Sequence, residues 1–459
     1  MRIIVCGAGQ VGSSIARQLS VEGNDVTVID QSPELIQMIN DTLDVKAKLG
    51  FASHPTVLEE VGAENTDMII AVTLSDEINM VACQVAQSLF NIPTKIARIR
   101  NQNYLRPEWM RLYRHDHLPI DFIISPEIEV ANAIVNRLHV PGAIDTIPFV
   151  DGLVKVVGMR CTVDCPMINM PVERIQKRVS EFDVSILGIL RGESFLVAGE
   201  GLELLDEDEL YFSCDTKNVQ KVMAMFGHEE REARRVTIIG GGNVGLFLAE
   251  QLEKEDSDVK VKLIEVDKDR AEQVADRLNR TTVINGSALS QEILEEANVA
   301  LAETVIAVSN DDEVNILSSL LSKRFGARRV VTLVNNASSY SPLTSSLGID
   351  VAINPREITV SSILQHIRKG RIVAVHSICK GKAEVIEAEA VEASSVVGKK
   401  IKDLALPNGI VIGTMVRNGE TLVPDEDTII KAGDRIVILS LANMVNKVEK
   451  IFSVKFEFF

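Results

Sequence analysis

Ile3-Ile4-Val5-Cys6-Gly7-Ala8-Gly9-Gln10-Val11-Gly12 is the stretch whose reading decides the fold. A short apolar run ends in Gly7-x-Gly9-x-x-Gly12, and Val11, Ile15, Ala16 and Leu19 follow at helical spacing. Strand, tight glycine turn and helix start are the setting a dinucleotide fingerprint requires. In that fingerprint Gly7 makes the turn, Gly9 lets backbone approach a pyrophosphate, and Gly12 lets the helix pack closely on the strand. The helix N-terminus then offers free N–H groups and the positive end of its dipole to phosphates. The next apolar run, Val26-Thr27-Val28-Ile29, closes on Asp30, 18 residues after Gly12, where a carboxylate for ribose hydroxyls belongs. A nucleotide site is expected here; the competing reading is a glycine turn that binds nothing.

Working outward, residues 1–125 alternate strand and helix. Ser32-Pro33 has the form of an N-cap followed by proline at the first helical position. Val45–Leu49 is a third strand ending at Gly50, and Asp67–Thr73 a fourth, apolar enough to be buried on both faces. Asp76, Glu77 and Asn79 lead into the helix Met80–Phe90; Lys95–Arg98 and Phe122–Ile124 complete six strands of a doubly wound parallel sheet.

The pattern then returns. Val236-Thr237-Ile238-Ile239-Gly240-Gly241-Gly242-Asn243-Val244-Gly245 is a second strand, glycine turn and helix start, and Val261–Ile264 closes on Glu265, 20 residues after Gly245. Gly286 answers Gly50. Ala307-Val308-Ser309-Asn310-Asp311-Asp312-Glu313-Val314-Asn315 repeats Ala71–Asn79 at a constant offset of 236. Ile349–Pro355 likewise repeats Ile120–Pro126. The expected fold class is therefore α/β, with two tandem Rossmann-like, doubly wound parallel-sheet domains. Each is followed by a small strand-rich unit, near 146–226 and 371–457, and the charged segment His228–Arg235 reads as the linker between halves. Glu127–Leu138 carries apolar residues on more than one face, as does its counterpart Glu357–Ile367, so each is expected to cross to a neighbouring sheet or subunit.

Bulk properties bound the function. A chain of 459 residues suits two to four domains with ample core. Aromatics at 4% imply aliphatic cores of the kind buried parallel sheets use. A net charge of −17 argues against nucleic acid, which needs a basic footprint. With no apolar run of membrane-spanning length and Met1-Arg2 leading straight into a strand, a cytoplasmic protein without a signal peptide is expected. Cys6, Cys83, Cys161, Cys165, Cys214 and Cys379 show no zinc spacing and read as reduced, mostly buried thiols. His115-Asp116-His117 lacks a third metal ligand and reads as a polar loop.

Gly7 to Gly12, Asp30, Thr73 with Asp76-Glu77-x-Asn79, Arg98 and their second-half counterparts together resemble the family of regulator-of-potassium-conductance (RCK) domains, over the whole chain. The resemblance implies N-terminal Rossmann-like domains at 1–140 and 235–369, and α+β C-terminal domains at 141–227 and 370–459. It implies a cytoplasmic regulatory subunit, peripheral on the inner face of the cell membrane. Its partner would be a Trk-type potassium channel membrane subunit, gated by NAD(H) or, alternatively, ATP or ADP, from a homo-oligomer, dimer or tetramer ring. Carried over by position, Gly7, Ala8, Gly9, Gln10 and Val11 would meet phosphates, Asp30 the adenosine ribose, Thr73 and Leu74 the ligand across the crevice, and Arg98 its phosphates. The second cleft would use Gly240, Gly241, Gly242, Asn243, Val244, Glu265, Ser309 and Asn310. Asp30 and Glu265 disfavour a 2′-phosphate and hence NADP. Phe51 and Ser287 stand where many relatives are acidic, and Thr332 is read as the uncharged counterpart of Arg98. No metal and no catalytic residue is assigned. An NAD-dependent oxidoreductase is the rival reading, but it needs a positioned acid or base, and no histidine recurs in both halves. A soluble nucleotide sensor with a non-transport partner is the other.

Overall fold

The computed structural model describes residues 1–114, 116–199, 201–229, 233–255, 258–336, 340, 346–366, 372–404 and 406–452, in two compact units. His115, Ile367, part of the linker and Phe456–Phe459 lie outside the described residues.

The first unit is built on β1 (Arg2–Cys6), β2 (Asp25–Asp30), β3 (Lys46–Leu49), β4 (Met68–Ala71), β5 (Thr94–Arg98) and β6 (Phe122–Ile124). They form one parallel sheet in the order 3-2-1-4-5-6. Side chains alternate between faces along a strand. Ile3 and Val5 therefore enter one core with Ile15, Leu19 and Val28, while Ile4 and Cys6 enter the other with Ile29, Ile69 and Ala71. Both faces are covered, which is why the central strands read as unbroken apolar runs. Strand order reverses between β1 and β4, opening a crevice at their C-terminal ends.

One helix of this unit comes from far along the chain. Pro355–Gln365 packs Ile363, Leu364 and Val360 into the Ile3–Val5 core. This answers the apolar excess seen in its sequence: the second crossover helix packs on the first sheet. Its Ser362 hydrogen-bonds the carboxyl of Glu129, whose pKa is nonetheless raised by burial.

Among the described residues the second unit holds three sheets. β7 (Ala143–Phe149), β8 (Val154–Arg160), β9 (Ser185–Arg191), β10 (Ser194–Val197) and β11 (Glu209–Asp215) pair antiparallel in the order 10-9-11-8-7. β12 (Arg235–Ile239), β13 (Lys260–Glu265), β14 (Thr282–Asn285), β15 (Thr304–Ala307), β16 (Arg329–Leu333) and β17 (Val351–Ile353) repeat the parallel order of the first sheet. β18 (Ile372–Ile378), β19 (Ala383–Glu389), β20 (Ile410–Arg417), β21 (Glu420–Leu422) and β22 (Arg435–Leu441) form the last, antiparallel sheet. The two antiparallel sheets share a core in which Phe149, Leu187 and Tyr211 meet Val385, Val416 and Val437. The sheets approach closely at Gly413, where a Cβ would lie 2.7 Å from Ser213 Oγ, 2.8 Å from Leu187 Cδ2 and 3.2 Å from Val437 O. Ser213 Oγ instead accepts from the Thr414 N–H at 3.0 Å.

Candidate functional site

The first glycine turn does three separate things. Gly7 has φ +110°, and a Cβ on it would meet the Val72 carbonyl oxygen at 3.0 Å. Gly12 begins the close helix–strand contact: its Cβ would sit 1.8 Å from Gly7 O. Gly9 is different, because a Cβ there would find nothing within 4 Å. The protein's own packing does not require glycine at that position; a ligand lying on the backbone would. Gly9 is also the N-cap of the helix Gln10–Val21, which has no side-chain cap and no acidic residue in its first turn. The helices Pro33–Thr42 and Asp76–Phe90 have both: Ser32 and Ser75 cap them, and acids fill their first turns. The uncapped N-terminus of Gln10–Val21 therefore faces the crevice with its N–H groups and dipole free for an anion.

Asp30 ends β2 with its carboxylate drawn to the turn, accepting from Ala8 N–H at 2.6 Å and Ser32 N–H at 2.9 Å. Ala8 is buried, whereas Gln10 is exposed and Val11 half-buried on the helix start. Across the crevice, Thr73 follows β4. Its N–H and hydroxyl both donate to Asn79 Oδ1, at 2.9 and 2.7 Å, and Asn79 Nδ2 donates to the Arg98 carbonyl at 2.9 Å. Asn79 thus ties the ends of β4 and β5 together. Asp76 fixes the chain beyond β5, accepting from Arg100 N–H at 2.9 Å and Asn101 N–H at 2.7 Å. Arg98 lies at this edge, with Nη2 donating to Thr73 O at 2.7 Å and a buried Nε that has no partner among the described residues. Burial, reinforced by Arg100, lowers its pKa from the usual guanidinium value, so an arriving anion is favoured there. Leu74 stands on the rim, 90% exposed. Phe51, half exposed, follows Gly50, whose N–H donates to Asp30 O, and pairs its ring with His54 at 5.0 Å.

The second crevice reproduces this frame with different chemistry. Gly240 and Gly245 are held as Gly7 and Gly12 are, with Cβ clashes at 2.9 Å to Ser309 N and 1.9 Å to Gly240 O, while Gly242 again faces open space. Glu265 accepts from Gly241 N–H at 2.6 Å and Asp267 N–H at 2.9 Å. Its longer side chain fits because position 241 is glycine: a Cβ there would lie 3.0 Å from Glu265 Oε2. Asn243 is exposed and Val244 half-buried at the helix start, and Asn310 is exposed on the rim where Leu74 stands in the first cleft. Ser309 gives N–H and hydroxyl to Asn315 Oδ1 at 2.8 and 2.7 Å. Asn315 Nδ2 then donates to Leu333 O at 3.0 Å.

That last bond corrects one alignment. Ala71 pairs with Ala97 and Ala307 with Thr332, so Thr332 is the counterpart of Ala97, and Leu333 that of Arg98. The Thr332 hydroxyl is buried against Ser319 Oγ at 2.7 Å, away from the crevice. Leu333 is apolar, so the position stays uncharged. The second cleft gains a cation elsewhere: Arg270 Nε donates to Gly241 O at 2.7 Å, beside the Glu265 carboxylate that accepts from Gly241 N–H. Sequence reading did not single out Arg270, nor the clamping role of Asn79 and Asn315. The repeated Asp-Glu-x-Asn was the available signal for the clamp.

The duplicated units also match known sequences. The profile of the TrkA-N domain matches residues 3–126 and 236–355, and that of the TrkA-C domain matches 156–227 and 385–453. The chain belongs to the TrkA family. It is 46% identical to the Trk system potassium uptake protein TrkA of Azorhizobium caulinodans over 459 residues, the full length of both. It is 40% identical to the TrkA of Halomonas elongata, again over 100% of each chain. Among solved structures, the crystal structure of the GsuK RCK domain superposes with TM-score 0.60 at 18% identity, covering 98% of this chain and 94% of that one. The GsuK channel bound to NAD gives 0.58 at 18% identity, covering 98% and 78%. These two show a shared fold, the tandem RCK arrangement. Among the described residues no helix is long and apolar enough to cross a membrane, and no cluster of three or more His, Cys, Asp or Glu is placed to hold a metal.

Proposed function

We propose that this TrkA-family chain is a non-catalytic nucleotide sensor. It would sit on the cytoplasmic face of the membrane as a homo-oligomer and gate a Trk-type potassium channel membrane subunit. The observation that carries the nucleotide reading is Gly9: glycine stands beside an uncapped helix N-terminus at a point where no protein atom demands it. NAD(H) is the preferred ligand, with ATP and ADP as alternatives, because the Asp30 carboxylate beside the Ala8 N–H suits free ribose hydroxyls and repels a 2′-phosphate. The phosphates would lie over Gly7 to Val11 with Arg98 opposite, and Thr73 and Leu74 would line the far wall. In the second cleft Gly240 to Val244, Glu265, Ser309 and Asn310 would take the same places. The domains are proposed at 1–140, 141–227, 235–369 and 370–459. Support for the transport role comes from full-length relatives named as potassium uptake proteins.

Gating follows from differential affinity: a ligand moves the assembly only as far as it binds one arrangement more tightly than another. Titration calorimetry with NADH, NAD, ATP and ADP separately, with native mass measurement of each complex, tests the reading. Asp30→Ala is expected to weaken binding by about tenfold to a hundredfold, the worth of charge-assisted hydrogen bonds to ribose. Unchanged affinity would show the first cleft to be misassigned.

A further inference from the structure

The turn that follows β3 carries two aromatic rings that its backbone does not need. Gly50 N–H donates to Asp30 O at 2.9 Å, and His54 N–H then closes the turn on Phe51 O at 3.0 Å. The duplication supplies an internal comparison. Gly286 N–H donates to Glu265 O at 2.9 Å, and Ser290 N–H closes the equivalent turn on Ser287 O, also at 2.9 Å. Serine stands at both ring positions there, and Ser287 Oγ accepts from Leu289 N–H at 3.3 Å within the turn itself. The same backbone therefore forms without an aromatic residue. In the first turn the Phe51 and His54 ring centroids lie 5.0 Å apart with 31° between their planes, and Phe51 stays 48% exposed. A lone exposed apolar side chain is ordinary on a protein surface. This one is braced by a second ring, and it stands at a particular strand end.

Sheet order gives that strand end its meaning. β1, β2 and β3 are successive neighbours, and Asp30 at the end of β2 pairs with Leu49 at the end of β3. The glycine turn follows β1. A nucleotide with its phosphates over Gly7 to Val11 and its ribose at Asp30 is therefore laid from β1 across β2 toward β3. Neighbouring strands lie about 5 Å apart. The base, carried on the side of the ribose away from the phosphates, then arrives one strand further on, where Leu49 is followed by Gly50 and Phe51. Gly50 has no side chain to offer, and Phe51 offers a half-open ring.

We propose that Phe51, braced by His54, is the stacking platform for the adenine base of a nucleotide held in the first cleft. The proposal rests on the nucleotide reading of that cleft and adds the residue that takes the base. Aromatic rings stack offset on a planar partner, and a base presents such a face whatever its edge pattern. Phe51 thus supplies affinity for the base, while refusal of a 2′-phosphate stays with Asp30. The second cleft has Ser287 and Ser290 at these positions and carries no equivalent platform in its turn.

Titration calorimetry of the full chain with ADP, beside proton NMR of the same ligand, tests the platform. Phe51→Ser, the residue of the second turn, is expected to weaken ADP about tenfold, and Phe51→Tyr to stay within about twofold of the native chain. The adenine H2 and H8 resonances should move upfield on binding to the native and Phe51→Tyr chains, and lose most of that shift with Phe51→Ser. Ring-current shielding of the base is a readout that a merely structural Phe51 would not move. In a Gly9→Val background, which obstructs the first cleft, Phe51→Ser is expected to change nothing further. An equal tenfold loss in that background would place the effect outside the first cleft and overturn the proposal. Native-strength binding by Phe51→Ser, with both protons still shifted, would overturn the platform and leave the cleft assignment standing. A native chain that binds neither ADP nor NADH would overturn both.

Discussion

Gly9 and Gly12 stand three residues apart and answer to different demands, and substitution separates them. A methyl at position 12 would lie 1.8 Å from Gly7 O, so Gly12→Ala is expected to cost about 3 kcal/mol in urea denaturation. Gly9→Val meets nothing inside the protein. It should change stability by less than about 1 kcal/mol while lowering nucleotide affinity about tenfold or more in calorimetry. A Gly9→Val protein that binds normally would mean the turn is scaffolding. Arg98 allows a second test, because the molecule already contains its apolar version at Leu333. Arg98→Leu removes the cation but leaves the Asn79 clamp, whose bonds run to backbone and to Thr73. It is expected to weaken phosphate-bearing ligands about tenfold and to flatten the salt dependence of binding. The glycines and Asp30 were legible because their spacing along the chain is itself the geometry. The partner of Arg98 was not, because pairing across strands is set one residue at a time by hydrogen bonds that leave no mark in composition.

At the scale of elements, the crossover helices show what an apolar pattern does and does not say. Residues off the main stripe of Glu127–Leu138, Val130 and Ile134, announced a helix covered on more than one side, and both are buried. An apolar face carries no address, however, so the sheet that covers Pro355–Gln365 could not be read from it. Ile363 and Leu364 complete the core above β1, more than 350 residues away in sequence. Ile363→Ala is therefore expected to destabilise the first Rossmann-like unit by about 2–4 kcal/mol. Hydrogen exchange of β1 and β2 amides should report the loss, with the β12 and β13 amides unaffected. Protection lost first around β12 would place the helix elsewhere. The two small units were legible as strand-rich, but their shared core was not: Gly413 reads as one glycine among many until Ser213 and Leu187 are seen against it.

At the scale of the molecule, duplication has produced two frames of one design with unequal contents. The Asn clamps, the uncovered Gly9 and Gly242 and the acids Asp30 and Glu265 that hold the glycine turns are common to both clefts; Arg98 belongs to one and Arg270 to the other. The small units are joined more intimately, through one core, and that junction holds a titratable group. His376 in β18 sets its ring edge-on to Phe149 of the other sheet at 5.1 Å, and burial lowers its pKa from 6.5 to about 4. The sign follows from proton binding. Above pH 6.5 the ring is neutral folded or unfolded, and the junction has its full stability. As pH falls from about 6.5 toward 4, the unfolded chain takes up a proton that the folded one refuses, so stability is lost across that window. The loss attributable to this ring is on the order of 1–3 kcal/mol. Urea denaturation between pH 7 and 4.5 should therefore fall more steeply for the native chain than for His376→Leu, which keeps an apolar contact with Phe149 and cannot titrate. Carboxylates contribute equally to both curves, so the difference between them isolates the imidazole, and parallel curves would show that acid opens the molecule somewhere other than this junction.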